Sequence, residues 1–152
     1  MCLTVLKEAA REGVFRPETT SMVNYITDLS SNDANNFSIE PGSDLNILKK
    51  CFSGSQDMEN GLHIIDTLID RAAKLVAANL AAVVLKTEKG RNSGKPVLIT
   101  IEGTTFFKMH NLRNLFEGYF GEFLSGDRKR YVEFTEVEKS SLIGAALAAL
   151  IN

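Results

Sequence analysis

Apolar positions recur with helical spacing through the first half of the chain and give way to a strand, helix, strand, helix order in the second. Leu3, Leu6, Ala9 and Ala10 precede Gly13, and Met22, Val23, Ile26 and Leu29 repeat the spacing after Pro17 and Glu18. Each set predicts a short amphipathic helix. Residues 30 to 44, SSNDANNFSIEPGSD, are dense in Ser, Asn, Asp, Pro and Gly, which compete with regular structure through turns and side-chain caps. A loop with at most one helical turn is expected there. Leu45, Ile47, Leu48 and Phe52 predict a further short helix, closed by Ser53-Gly54.

From Asp57 to Thr87 the set Leu62, Ile65, Leu68, Ile69, Ala72, Ala73, Val76, Leu80 and Val83 keeps a 3.6-residue period, which predicts one helix roughly 45 Å long. Its segment RAAKLVAANLAAVVL is apolar on most of its circumference, with Arg71, Lys74 and Asn79 as exceptions, so cover on several sides is expected. The breaker-rich EKGRNSGKP ends it. VLITI then reads as a strand buried on both faces in a parallel sheet. Asn111 to Leu124 reads as a helix whose broad face carries Leu112, Leu115, Phe116, Tyr119, Phe120 and Phe123. YVEFTEV reads as a second strand and SSLIGAALAALI as a last helix, capped by Ser140 or Ser141.

This order makes the fold class α/β, with residues 1–96 helical and 97–152 a β-α-β-α unit of a single domain portion. It requires parallel strands and a right-handed crossover. Two parallel strands cannot bury both faces and both edges of a run such as Val97 to Ile101, because parallel sheets carry more strands with helices on each side. Strands are therefore expected from a missing N-terminal half or from a partner, including a second copy of the chain.

With 152 residues and 44% hydrophobic content, the chain can bury a core of ordinary size without disulfides. A formal net charge of -2 gives no electrostatic footprint for nucleic acid, and the run Arg128-Lys129-Arg130 is too short to reverse that. Asp127 to Arg130 reads as a solvated turn. No apolar stretch is long enough to span a membrane, and Glu and Arg come too early for a signal peptide, so a cytoplasmic location is expected. Cys2 and Cys51 have no partners at metal-ligand spacing and read as buried or idle thiols.

Chemistry is sought first at Ile101-Glu102-Gly103-Thr104-Thr105-Phe106-Phe107-Lys108, just outside the carboxyl end of a parallel strand, where open α/β sheets place ligands. Gly103 would let backbone amides approach a nucleotide, and the hydroxyls of Thr104 and Thr105 could donate to phosphate or ribose oxygens. A tight turn followed by a Thr cap would use the same residues. The second candidate is the helix start Ser140-Ser141-Leu142-Ile143-Gly144, whose free amides could meet the same ligand, or which could simply be a cap with small residues for close packing. His63 and His110 read as structural or surface histidines. Glu102, Glu133, Glu136 and Glu138 form no defined acid/base pair, and the aromatic set on the Asn111 to Leu124 helix reads as core rather than base stacking.

Three blocks in this order resemble the C-terminal part of the hexokinase family, specifically a bacterial-type hexokinase: IDRAAKLVAANLAAVV, VLITIEGTTFFK, and FTEVEKSSLIGAALAAL. LTVLKEAAREGVF is similar to the helix that leads into this part of the family. The resemblance implies part of the large domain of an actin-like, ribonuclease-H-like fold, with Gly103, Thr104 and Ser141 on the adenosine side of an ATP site and Thr105 as the alternative to Thr104. It implies Mg-ATP-dependent phosphoryl transfer to the 6-hydroxyl of a hexose in the intact enzyme. The family's hexose-binding residues, catalytic Asp and Gly-Thr phosphate loops belong to an N-terminal half with no counterpart in this sequence, so the chain alone is expected to be inactive. Glu102 stands where the family has Asp, and Leu142 where many members have Gly. A non-catalytic interaction or regulatory module derived from a hexokinase, or a fragment of another actin-like ATPase, are the alternatives.

Overall fold

A computed structural model of the chain describes residues 1–137 and 140–151, with side chains at all of these except 140 and 151. The chain divides into two units, Met1–Arg71 and Ala72–Asn152. The division falls inside the long central helix.

The first unit is helical. α1 (Cys2–Arg11) buries Leu6 and Ala10, and α2 (Pro17–Tyr25) starts on a proline, whose missing N–H costs nothing in a first turn. α3 (Ser31–Ile39) occupies the stretch expected to be a loop. The reason is a reciprocal cap: the Ser30 hydroxyl accepts from the Asp33 N–H while the Asp33 carboxylate accepts from the Ser30 N–H, and Ala34 and Phe37 bury one face. The polar residues that disfavour a helix interior here secure a helix start. α4 (Ile47–Cys51) is capped by the Asn46 side chain, which accepts from the Leu48 N–H and donates to the Asp33 carbonyl. α5 (Ser55–Lys86) is the expected central helix, and its early residues complete this unit.

Phe52 sits between Phe15 and Phe37, with ring centroids 5.5 and 5.3 Å away. These rings pack with Leu6, Val23, Leu48 and Ile65 into one buried cluster. Beside it lies a buried polar knot. The Asp57 carboxylate accepts from Thr19 Oγ1 at 2.6 Å, from Ser53 Oγ and Arg16 Nε at 3.3 Å, and from the Arg16 backbone N–H at 3.4 Å. Burial acts to raise this carboxyl, but the Thr19 bond and the donors and charge of Arg16 outweigh it and hold it below the ordinary value. Cys51 is buried and Cys2 half-buried; both are free thiols that burial pushes up, as expected for unreactive cysteines.

In the second unit, Ala73, Ala77, Ala81 and Val84 form the buried stripe of α5 at four- and three-residue steps. The stripe is narrower than the sequence analysis predicts: Leu75, Val76 and Val83 are exposed. β1 (Val97–Ile101) and β2 (Val132–Glu136) pair in parallel with Val97 opposite Val132 and Ile101 opposite Glu136, the two strands of the sheet among the described residues. Between them come α6 (Thr104–Lys108), α7 (Leu112–Phe123) and a 3-10 turn at Gly126–Arg128. Phe116 and Phe120 of α7 are buried and stack at 5.4 Å, each also meeting Phe134, so the aromatic set is core.

The expectation that β1 is buried on both faces is corrected. Val97, Ile99 and Ile101 are half-buried on the α7 side, whereas Leu98 and Thr100 point outward and Leu98 is 67% exposed. α8 (Ser140–Ile151) follows β2, and Leu142, Ile143, Leu147 and Leu150 are exposed along it. The molecule is thus mostly helical with a small parallel sheet, an α/β arrangement. No helix among the described residues is long and apolar enough to cross a membrane.

Candidate functional site

The carboxyl ends of β1 and β2 lie side by side because the register pairs Ile101 with Glu136. Each strand is followed by a helix start, so α6 and α8 begin at the same end of the sheet. Gly103 makes the first turn possible. Its φ of 108° and ψ of 146° are open to glycine and strained for other residues, and a Cβ there would project into open space. Gly103 is the N-cap of α6 and no side chain caps that helix, so the alternative in which a Thr serves as cap is not what the turn uses.

An open cleft of about 410 Å³ lies at this end, lined by Ile101, Glu102, Gly103, Thr104, Phe107, Lys108, Glu136 and Val137. Thr104 contributes to the lining and Thr105, also exposed, does not. Ser141 reaches the site from the other strand's helix. Its N–H and its hydroxyl both donate to Glu102 Oε2, at 2.9 and 2.7 Å. Two segments 39 residues apart in sequence are thereby fastened together.

Of the amides at the start of α8, that of Ser141 is taken by Glu102 along with the Ser141 hydroxyl. A carboxylate at a helix start is favourably placed against the dipole and satisfies an otherwise orphaned donor. Its charge also makes the immediate neighbourhood unfavourable for a second anion. Glu136 adds negative charge to the lining and Lys108 positive charge, so the cleft suits an uncharged polar and apolar group better than a phosphate chain. The side chain of Ser140 and the whole of Glu138, both named in the sequence analysis, lie outside the described residues.

Sequence reasoning noted Glu102 as an unusual residue at its position and missed its role as clasp. Finding that role requires knowing that β1 and β2 are neighbours in this register. His63 and His110 are exposed, and among the described residues no group of three His, Cys, Asp or Glu side chains could hold a metal ion.

The hexokinase family model matches residues 4–151, almost the entire sequence. The chain belongs to the hexokinase family. Membership makes it part of the sugar-kinase class of phosphotransferases, in agreement with the three sequence blocks read above. No curated protein matches the chain at a significant level.

Proposed function

We propose that this hexokinase-family chain is a C-terminal, nucleotide-side portion of an ATP-dependent hexokinase with an actin-like fold, working in the cytoplasm. In the intact enzyme, ATP carrying Mg would phosphorylate the 6-hydroxyl of a hexose such as glucose, with catalysis resting on positioning and electrostatic stabilisation. The observation that carries this reading is the convergence of the Gly103 turn and the Ser141 helix start at one end of a parallel sheet, fastened through Glu102.

The role of each residue follows from chemistry. Gly103 leaves room for close approach because it has no side chain, Thr104 offers a hydroxyl for ribose, and Phe107 offers an apolar surface to a base. Glu102 and Ser141 hold the two walls at fixed separation. Thr105 belongs to the same turn and would act only through an altered α6 start. Among the described residues of this cleft none forms a phosphate-clamping loop, so the chain alone would hold adenine nucleotides weakly, at a Kd of about 1 mM. The exposed Leu98 and the exposed apolar residues of α8 are consistent with a sheet completed elsewhere, by an N-terminal half or by a second copy.

An NMR titration of the chain with ATP tests the reading. Shifts should cluster around Gly103 and Ser141 and be lost in Gly103→Val, whose side chain would enter the cleft, with Thr104→Val weakening binding at unchanged volume. Equal shifts in wild type and both variants would refute the site. A coupled assay should show no glucose phosphorylation by the chain alone; turnover scaling with protein concentration would overturn the assignment of catalysis to another portion.

A further inference from the structure

The opposite, amino-terminal end of the sheet carries the opposite charge. The Tyr131 N–H donates to the Gly90 carbonyl at 2.7 Å, and the Tyr131 carbonyl accepts from the Val97 N–H at 2.9 Å. Gly90 makes this approach possible: a Cβ there would lie 2.7 Å from the Tyr131 carbonyl oxygen. The loop holding Lys89 and Arg91 is therefore tied to the start of β2, directly after Arg128, Lys129 and Arg130. Lys95 stands two residues before β1. Glu88, Asp127 and Glu133 are the nearby carboxylates in sequence against Lys89, Arg91, Lys95, Arg128, Lys129 and Arg130, so cations prevail at this end, whereas Glu102 and Glu136 line the other with Lys108.

Asp127 to Lys129 are exposed, as a solvated turn should be, but Arg130 departs from that expectation. It is half-buried and lines a cleft of about 440 Å³ together with Lys129, over apolar walls that include Phe120, Leu124, Val132 and Phe134. Its Nη1 donates to the Lys129 carbonyl at 2.8 Å, while its Nε is buried without a hydrogen-bond partner. A buried donor left unpaired is unfavourable, and the guanidinium edge that includes Nε matches two oxygens of a carboxylate or phosphate. Lys129 Nζ stands 5.2 Å above the Tyr131 ring, which keeps a second cation close to the same strand start.

We propose that this cleft binds a small molecule carrying a phosphate or carboxylate on an apolar body, with the anion on Arg130 and the body on the Phe120 and Phe134 surface. The site is separate from the Gly103 cleft, at the other end of the same strands. The cleft sets polar groups among apolar walls, as small-ligand sites do, and its volume suits a ligand of this size. A nucleic acid is disfavoured by the overall charge of -2 and by the apolar walls.

The test is an NMR titration of the full chain with phenyl phosphate, with benzoate, inorganic phosphate and benzyl alcohol as comparison probes. Phenyl phosphate and benzoate should shift residues 120 to 134, and each should bind at least about tenfold more tightly than inorganic phosphate or benzyl alcohol, because only they use both the cation and the apolar wall. Arg130→Met, which keeps the stem, should weaken phenyl phosphate about tenfold, and Arg130→Lys, which keeps charge without the fork, by about threefold. Arg128→Gln, outside the cleft lining, should change it less than about twofold, within the range of a screened surface charge. Gly103→Val should leave it unaltered, which separates this site from the proposed nucleotide site. Thermal melts report whether each variant folds; should Arg130→Met unfold, Arg130→Lys and the wild-type probe series decide. Equal losses in the Arg128 and Arg130 variants, inorganic phosphate matching phenyl phosphate, or an absence of shifts at 120 to 134 would each overturn the proposal.

Discussion

The two units treat their large apolar side chains differently. In Met1–Arg71, Leu6, Val23, Phe37 and Leu48 are wholly buried, and the buried Asp57 carboxylate is satisfied by Thr19, Ser53 and Arg16. In Ala72–Asn152 the core around Phe116 and Phe120 is equally dry, yet Leu98 is 67% and Leu150 83% exposed. Exposed apolar residues scattered singly are ordinary, but an outward strand residue and successive turns of an apolar helix are not. The first unit closes a core around its own residues, although Tyr25 and Leu45 are 80% and 93% exposed on its surface. The second presents a surface whose composition anticipates cover, and its polar candidate site lies at the sheet end rather than inside a closed core.

The strongest way to break the comparison is at the first unit's centre. Phe37→Ala should cost about 3–5 kcal/mol, because it leaves a cavity beside Phe52 that the surrounding helices cannot collapse to fill. Native-state hydrogen exchange should show protection lost in residues 1 to 71; loss confined to residues 72 to 151 would contradict the assignment of Phe37 to a self-contained core.

Asp57→Ala should cost about 3 kcal/mol by stranding Thr19, Ser53 and Arg16, and Asp57→Asn less, since it keeps part of the hydrogen bonding. Because the folded carboxyl is held below its ordinary value of 3.8, its contribution is complete above that value and is lost as pH falls through the depressed folded one. Urea titrations between neutral and acid pH should therefore show wild type losing more stability than Asp57→Asn in the acid range. Parallel curves would show that the knot contributes nothing through this charge.

Ser30→Ala tests a smaller effect, about 1 kcal/mol, as the capping hydroxyl at α3 is removed. Circular dichroism with denaturant should register the loss, and Ser30→Asp should recover most of it.

The smallest folding effect is expected in the second unit. Leu98→Ser removes an outward side chain and should change stability by less than about 0.5 kcal/mol. Its consequence should instead appear in sedimentation: wild type should self-associate through its uncovered strands and apolar helix, and Leu98→Ser with Leu147→Ser should shift it toward monomer. A wild type that is strictly monomeric at high micromolar concentration would remove the contrast between the units.

Much of the architecture follows from the sequence alone because helix and strand periods are local. The long period from Leu62 to Val83 marks α5, the β-branched VLITI marks β1, and the aromatic spacing from Phe116 to Phe123 marks a core helix. Family membership is equally legible, since it rests on blocks in order. Local pattern fails where polar residues serve the backbone. Ser30 and Asp33 read as loop formers until their reciprocal bonds are seen.

What only the tertiary structure decided concerns partners distant along the chain. That Glu102 occupies the Ser141 amide and hydroxyl, that Asp57 gathers Thr19 and Arg16, and that Arg130 buries an unpaired Nε beside Phe120 all depend on which elements pack together. The same holds for the face of β1 that looks outward, because alternation assigns side chains to two faces while only packing on α7 says which face is covered. Hydrogen bonding and burial are properties of pairs, and a sequence states its residues one at a time.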